Sequence, residues 1–373
     1  GYKWINKFGY KKTLIRGLLV MVCGLTVFFF SSWFTVRYEN LNVLIAGAHI
    51  PYGYFIFLFG SYLMGTSATL LQVVINPYVA AYEVKGTQPV QRMNIVCAFN
   101  SFGTTIAPFF VTGVMFGGLA IEEVQVKQLM VPFLILAAFI AFTAFITQRL
   151  YLPDVMHTKA AKGEKLERSI WSFRHLTLGV IAIFFYVGAE VSIGVNVNLN
   201  ALELENSGQT LSFFGMKHIV IGGIDFGLPA LLATLYWGGL MVGRIVSSYL
   251  KHISPRIQLT VTTILAASFT LIALVTNNLW LLVTVGLFHS VMWGCIFTLA
   301  ITGLNKYTSK ASGVFMMGVF GGAVFPFLQG ILADSWGSWQ YTWILVVICE
   351  LVMLYYALLG SKIRKTDEVE NTP

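Results

Sequence analysis

The chain has 373 residues, of which 57% are hydrophobic and only 11% charged. A water-soluble domain of this length cannot hide so much apolar surface, which excludes a soluble enzyme or carrier and points to the membrane. The net charge of +8 is read as topology and not as nucleic-acid binding, because the basic residues keep to alternate connections between apolar runs.

Apolar runs of about 20 residues read as membrane-spanning helices. About ten are expected, at roughly 13–35, 52–82, 93–118, 129–151, 176–199, 229–250, 257–276, 279–304, 311–333 and 340–360. Of the 24 Lys and Arg, only Arg37, Lys127 and Lys217 fall on one side of this map. The others run from Lys3 to Lys365 and include Arg92, Arg244, Arg256 and Lys310. Their side is cytoplasmic by the positive-inside rule, which puts both ends of the chain in the cytoplasm. The chain opens at Gly1 in a basic stretch with no signal peptide in view.

Polar residues inside these runs are costly unless they pair or line water, so each is a candidate. In the second run Gln72 and Asn76 are four apart, on one helical face, and both donate and accept as sugar hydroxyls require. A helix–helix hydrogen bond is the other reading. Pro77 is expected to kink that helix. In the third run Cys97, Asn100 and Thr104 form a stripe. The polar stretch Leu152–His175 divides the chain into halves. In the fifth run Glu190 sits among Phe184, Phe185, Tyr186, Val187 and Ile193, where a carboxylate costs on the order of 3 kcal/mol. It reads as a proton carrier or as an acid paired across helices, with Asn198 near the same face.

The outer loop Asn200–Leu228 is glycine-rich, so turns and no domain are expected there. Tyr236 and Trp237 follow in the sixth run. Arg244 is expected near a helix end, where it snorkels or pairs. In the eighth run His289, Trp293 and Phe297 recur at four-residue spacing, as a stacking face for a pyranose or as packing. Glu350 and Asp334 are also placed near helix ends, and Glu350 is read as structural. Cys23, Cys97, Cys295 and Cys349 lie in apolar runs without metal-ligand spacing. They are read as packing residues, and no metal or cofactor is expected.

The motif Phe-Gly-x-x-x-x-Pro-Phe occurs at Phe102–Phe109 and again at Phe320–Phe327, each with a basic residue ten positions earlier, Arg92 and Lys310. The copies fall in the third and ninth runs, so the repeat unit is six helices and the halves share orientation. Four helices precede the second copy within its half and two precede the first, so two further helices are expected ahead of Gly1. The expected organisation is an N-terminal bundle over 1–151 lacking its first two helices and a cytoplasmic linker at 152–175. A six-helix bundle over 176–361 and a cytoplasmic tail at 362–373 complete it.

The stretches Thr69–Ala80, Arg92–Pro108, Phe184–Gly194, Tyr236–Arg244 and Ser290–Asp334 resemble the fucose–galactose–glucose group of the major facilitator superfamily, the sugar:proton symporters. The resemblance runs over the whole chain. It favours the glucose/galactose branch, since the fucose branch has Glu where Gln72 stands and Gln where Glu190 stands. It implies an all-α polytopic membrane protein of two six-helix bundles. The bundles enclose a midplane cavity that Gln72, Asn76, Asn100, Glu190 and Asn198 line, with His289 and Trp293 as further sugar contacts. It makes Asn100 a substrate-site residue and Arg244 part of a gating motif, while Glu190 is the candidate for cation coupling on the separate ground that its carboxyl lies inside an apolar run. It also implies a monomer in a bacterial inner membrane. The loop Asn6-Lys7-Phe8-Gly9 departs from the superfamily's acidic-basic pattern, and the family's coupling Asp in its first helix has no counterpart in this chain.

The resulting expectation is a secondary active transporter of a neutral hexose driven by H⁺, with Na⁺ as the alternative ion. Neutrality is inferred because no buried basic residue is expected to clamp an anion. A membrane enzyme acting on a lipid-linked sugar, a carrier of another small solute, or a channel is the rival. The chain contains no His-Glu-x-x-His, no Gly-x-Ser-x-Gly and no Asp pair inside a run.

Overall fold

A computed structural model describes residues 2–45, 48–111, 115–116, 124–153, 168–209, 218–221, 224–250 and 252–364. Its helices are α1 (Tyr2–Arg37), α2 (Tyr52–Ala81), α3 (Pro89–Phe110), α4 (Met130–Arg149), α5 (Arg174–Asn206), α6 (Leu228–Ser248), α7 (Pro255–Thr276), α8 (Leu279–His289), α9 (Met292–Ile301), α10 (Thr308–Phe315), α11 (Gly321–Trp336) and α12 (Ile344–Tyr355). Among the described residues nine helical stretches are long and apolar enough to cross a membrane. The expected third run is the polar exception. It is helical as α3 but carries Gln91, Arg92, Asn94, Asn100, Ser101, Thr104 and Thr105.

Several runs differ in detail from expectation. The first begins earlier, because α1 joins a basic piece to the apolar run through Gly9, whose φ of 78° suits glycine. The eighth loosens without breaking: α8 ends at His289 and α9 starts at Met292, and Ser290 and Val291 between them keep right-handed helical φ and ψ. The ninth is α10 and α11 joined by the 3₁₀ turn Met316–Phe320, and the tenth ends in a π turn, Tyr356–Gly360. Helix α2 continues through Pro77, as membrane helices often do when neighbours satisfy the freed carbonyl. Two antiparallel hairpins add to the helices, β1 (Asn42–Ile45) with β2 (Ala48–Pro51) and β3 (His218–Ile221) with β4 (Ile224–Gly227). The second hairpin lies in the loop expected to hold only turns. Residues 210–217 and 222–223 of that loop, 154–167 of the linker and 365–373 of the tail lie outside the described residues.

Packing groups the chain into two compact units, one of 1–78 with 107–162 and one of 79–106 with 163–373. The chain-order halves 1–151 and 176–361 differ from this grouping by the stretch 79–106, most of which is α3.

In the first unit α1 packs along α4. The Ser31 hydroxyl donates to the Gly53 carbonyl and that of Ser67 to the Gly17 carbonyl, both at 2.7 Å, tying α1 to α2. Phe28 stacks on Phe57 and tilts against Phe133.

In the second unit α5 is the central helix, flanked by α6, α9, α11 and α12. Small residues permit this. Gly321 lies against the Phe184 backbone, so even a methyl group there collides with α5. Side-chain amides stitch the same helices: Asn196 donates to Gln329 Oε1 at 2.9 Å, and Gln329 donates to the Thr342 hydroxyl at 3.0 Å. The basic residues at the α3 and α7 starts have parallel tasks. Arg92 donates to the carbonyls of Val79 and Ala80 at the end of α2, and Arg256 to those of Ala357 and Leu358 in the last turn. Each satisfies helix-end carbonyls that would otherwise lack donors.

Candidate functional site

The polar centre of the second unit is built on α5. Tyr186 and Glu190 are one turn apart and share a face, so the tyrosine hydroxyl reaches Glu190 Oε1 at 2.8 Å. Arg244 comes from α6. Its Nη2 is 3.3 Å from the same carboxylate oxygen, and both side chains are nearly buried, 6% and 12% exposed. The other guanidinium nitrogens are also engaged. Nε donates to the Ser290 carbonyl at 3.1 Å, and Nη1 to the Cys97 carbonyl at 3.0 Å and to the Ser101 hydroxyl. This reach depends on glycine. Gly243 lies directly against Ser290 and the Leu287 carbonyl, and Gly286 against the Tyr236 backbone, so α6 and α8 approach closely.

Magnitudes explain why both charges persist in an apolar unit. Each costs on the order of 3 kcal/mol to place at mid-membrane. Their attraction at this separation is about 5 kcal/mol for an effective dielectric near 20. The pair therefore roughly breaks even, as buried ion pairs do, and its presence is a matter of chemistry more than of stability.

A second polar group adjoins the first. His289, at the last position of α8, is fully buried between Tyr236 of α6 and Glu350 of α12. Its Nδ1 is 2.7 Å from the Tyr236 hydroxyl and its Nε2 is 2.5 Å from Glu350 Oε1. The Tyr186 hydroxyl, besides touching Glu190, lies 3.0 Å from the His289 carbonyl and so connects the two groups.

The structure thus brings together Glu190, Arg244 and His289 of the expected residues. Trp293 is near, its ring 6.4 Å from that of Tyr186. Asn198 lies two turns beyond Glu190 on α5, half-buried, and its Oδ1 is buried without a partner among the described residues. Asn100 is exposed on α3, one residue before Ser101. Gln72 is half-buried and Asn76 buried, both on the part of α2 that belongs to the first unit.

Two expectations are corrected, and one is resolved between its alternatives. Of the two readings of Arg244, snorkelling or pairing, the structure shows pairing: it is buried four residues from the end of α6 and ion-paired with Glu190. A buried basic residue therefore exists, and the argument for neutrality from its absence fails. What makes this site electrically neutral is that Glu190 offsets Arg244. Glu350, set aside as structural near a helix end, is fully buried in mid-run and pairs with His289. An acid inside an apolar run was the available signal, and it was discounted. Tyr186, Ser101 and Ser290 were missed, though the Tyr186–Glu190 spacing of one helical turn was visible. A groove of about 510 Å³ along α3 and α6, lined by Ile95, Phe99, Phe102 and Met241 among others, is apolar and does not suit a polyol.

A helical membrane unit organised round buried, paired charges is that of a polytopic membrane protein. The chain belongs to the Major Facilitator Superfamily, which it matches over residues 1–325. It is 32% identical over 364 residues to a glucose/galactose transporter of Brucella abortus, covering 96% of this chain and 80% of that protein. It is 30% identical over 374 residues to a putative glucose/galactose transporter of Helicobacter pylori, covering 96% and 83%. Its fold is similar to the crystal structure of the Escherichia coli fucose:proton symporter, with a TM-score of 0.75 at 21% identity over 97% of this chain and 86% of that one.

Proposed function

We propose that the protein imports a neutral hexose of the glucose/galactose type together with a proton, by alternating access, as a monomer in a bacterial inner membrane with both chain ends in the cytoplasm. The observation that carries this reading is the neutralised pair of Glu190 and Arg244 inside the helical unit. Its two charges cancel, so a net charge on the substrate would go unmatched, while the carboxylate retains acceptor capacity for sugar hydroxyls. Asn100, Asn198, Gln72 and Asn76 offer the mixed donor and acceptor chemistry a sugar needs, and Trp293 an aromatic face. The names of the relatives favour the same substrate class.

The test is uptake of labelled glucose, galactose and fucose into proteoliposomes, with proton and sodium gradients imposed separately. The expected result is saturable, proton-driven accumulation of glucose or galactose. Accumulation driven by sodium alone overturns the choice of ion, and absence of sugar uptake overturns the function. Asn100→Ala is expected to weaken apparent sugar affinity; an unchanged affinity removes that residue from the site.

A further inference from the structure

Arg16 is a cation at a position where the fold calls for an apolar side chain. It lies in the membrane-spanning stretch Lys7–Arg37, two turns past the bend at Gly9. The six-helix repeat gives it a counterpart in α7, the third helix of its own half. Each of these helices sends a basic side chain to carbonyls at the end of the last helix of its half. Lys11 Nζ donates to the Leu150 carbonyl just after α4, at 2.7 Å, and Arg256 donates to those of Ala357 and Leu358. Five residues further on, α7 carries an exposed Val261 and α1 carries Arg16. Helix α7 packs chiefly on α8, α9 and α12. Their counterparts are α2 and α4, so the remaining face of α1 is left to lipid.

That face has two chemistries in series. At 100° per residue, Lys12, Arg16, Leu19, Cys23 and Phe30 fall within about 60° of one another round α1. Arg16 is half-buried and the other four are exposed, whereas Gly17, Gly24 and Leu25 on the far side are buried. The straight part of α1, from Tyr10 to Arg37, is about 42 Å long, and a hydrocarbon layer is about 30 Å thick. The boundary between headgroups and acyl chains therefore falls close to Arg16, with cations on one side of it and the apolar stripe on the other.

The Arg16 guanidinium turns back toward the start of the helix. It lies 3.4 Å from the centre of the Phe8 ring and 5.7 Å from that of Trp4. An aromatic face attracts the charge but offers no lone pair to an N–H group. Among the described residues Arg16 has no hydrogen bond and no ion pair. The helices of the first unit, α1, α2 and α4, contain no Asp or Glu. A fork of five N–H donors thus stands at the membrane boundary with Lys12 one turn away, the geometry that takes two oxygens of a phosphate.

We propose that this end of α1 is a binding site for an anionic glycerophospholipid. Arg16 and Lys12 hold the phosphodiester, and an acyl chain runs along Leu19, Cys23 and Phe30. A zwitterionic lipid has the same phosphate but brings its own cation up to Lys7 and Lys12, so a headgroup with net negative charge is selected. The site is independent of which solute the protein carries.

The experiment reads lipid composition at the stripe itself. The full chain, with Cys97→Ala, is labelled with a fluorophore at the exposed Cys23 and placed in phosphatidylcholine vesicles. These contain a trace of phosphatidylglycerol or of phosphatidylcholine with brominated acyl chains, which quench on contact. A second protein carries the label at Val261→Cys, with Cys23→Ala and Cys97→Ala. Brominated phosphatidylglycerol is expected to be enriched at Cys23 about fivefold over brominated phosphatidylcholine. Arg16→Val is expected to remove the difference. Valine is what α7 has at the matching position, and quenching by brominated phosphatidylcholine checks that the label in this variant still faces lipid. Equal quenching of Cys23 by the two lipids overturns the proposal, as does a preference that survives Arg16→Val. An equal preference at Cys23 and at position 261 is the general attraction of a basic face and overturns the site. Loss of the preference on adding an excess of free glycerol phosphate assigns Arg16 to a soluble anion and overturns the lipid.

Discussion

Arg244 illustrates how space, and not sequence neighbours, chooses between two readings of one side chain. It stands four residues from the end of α6, where a charge on an isolated helix reaches the interface. Here it turns inward because five donors meet four acceptors: Glu190, Ser290, Cys97 and Ser101. Removing one member of such a pair strands the other. Arg244→Gln is expected to destabilise the protein by about 3–5 kcal/mol, seen as a lowered thermal unfolding midpoint in detergent. The double variant with Glu190→Gln should be less damaged than Arg244→Gln alone, and a plain sum of the two single effects would show that the groups do not interact. The buried amide chain makes a smaller prediction. Gln329→Leu leaves Asn196 and Thr342 short of a partner and is expected to cost roughly 1–3 kcal/mol, by the same measurement.

At the scale of helices, glycine position decides how near two elements come. The two copies of the repeated motif show this. Gly321 abuts the Phe184 backbone, whereas Gly103 has nothing within 4 Å. The same residue in the same motif is thus a close-packing device in one half and faces open space in the other. Gly321→Ala should separate α11 from α5 and lower stability by roughly 1–3 kcal/mol. Gly330→Ala, on the same helix but facing open space, should be neutral or stabilising by up to about 1 kcal/mol. Comparable unfolding of the two variants would contradict the packing. The local loosening of the eighth and ninth runs also belongs to this scale. Composition shows a single apolar stretch in each case, and nothing local marks the end of α8 at His289.

For the whole molecule, the distribution of basic residues makes a directional statement. In a background with its own cysteines removed, Glu39→Cys should react with a membrane-impermeant maleimide added outside intact cells, and His252→Cys should not until the membrane is opened. Both positions are exposed at helix ends, so access depends on sidedness. The reverse pattern would invert the topology.

The apolar runs, their order and the asymmetry of Lys and Arg were enough to fix a polytopic helical membrane protein. Those features follow from the cost of exposing polar backbone to hydrocarbon, which depends only on what a segment is made of. The repeat and the family resemblance supplied the fold, and Glu190 was legible as an acid where lipid forbids one. Which acid meets a guanidinium and which an imidazole was decided by tertiary structure alone. Glu190 and Glu350 look alike in sequence, but one meets a guanidinium from α6 and the other an imidazole from α8. Their partners lie 54 and 61 residues away along the chain, and the state of a buried charge is set by neighbours in space.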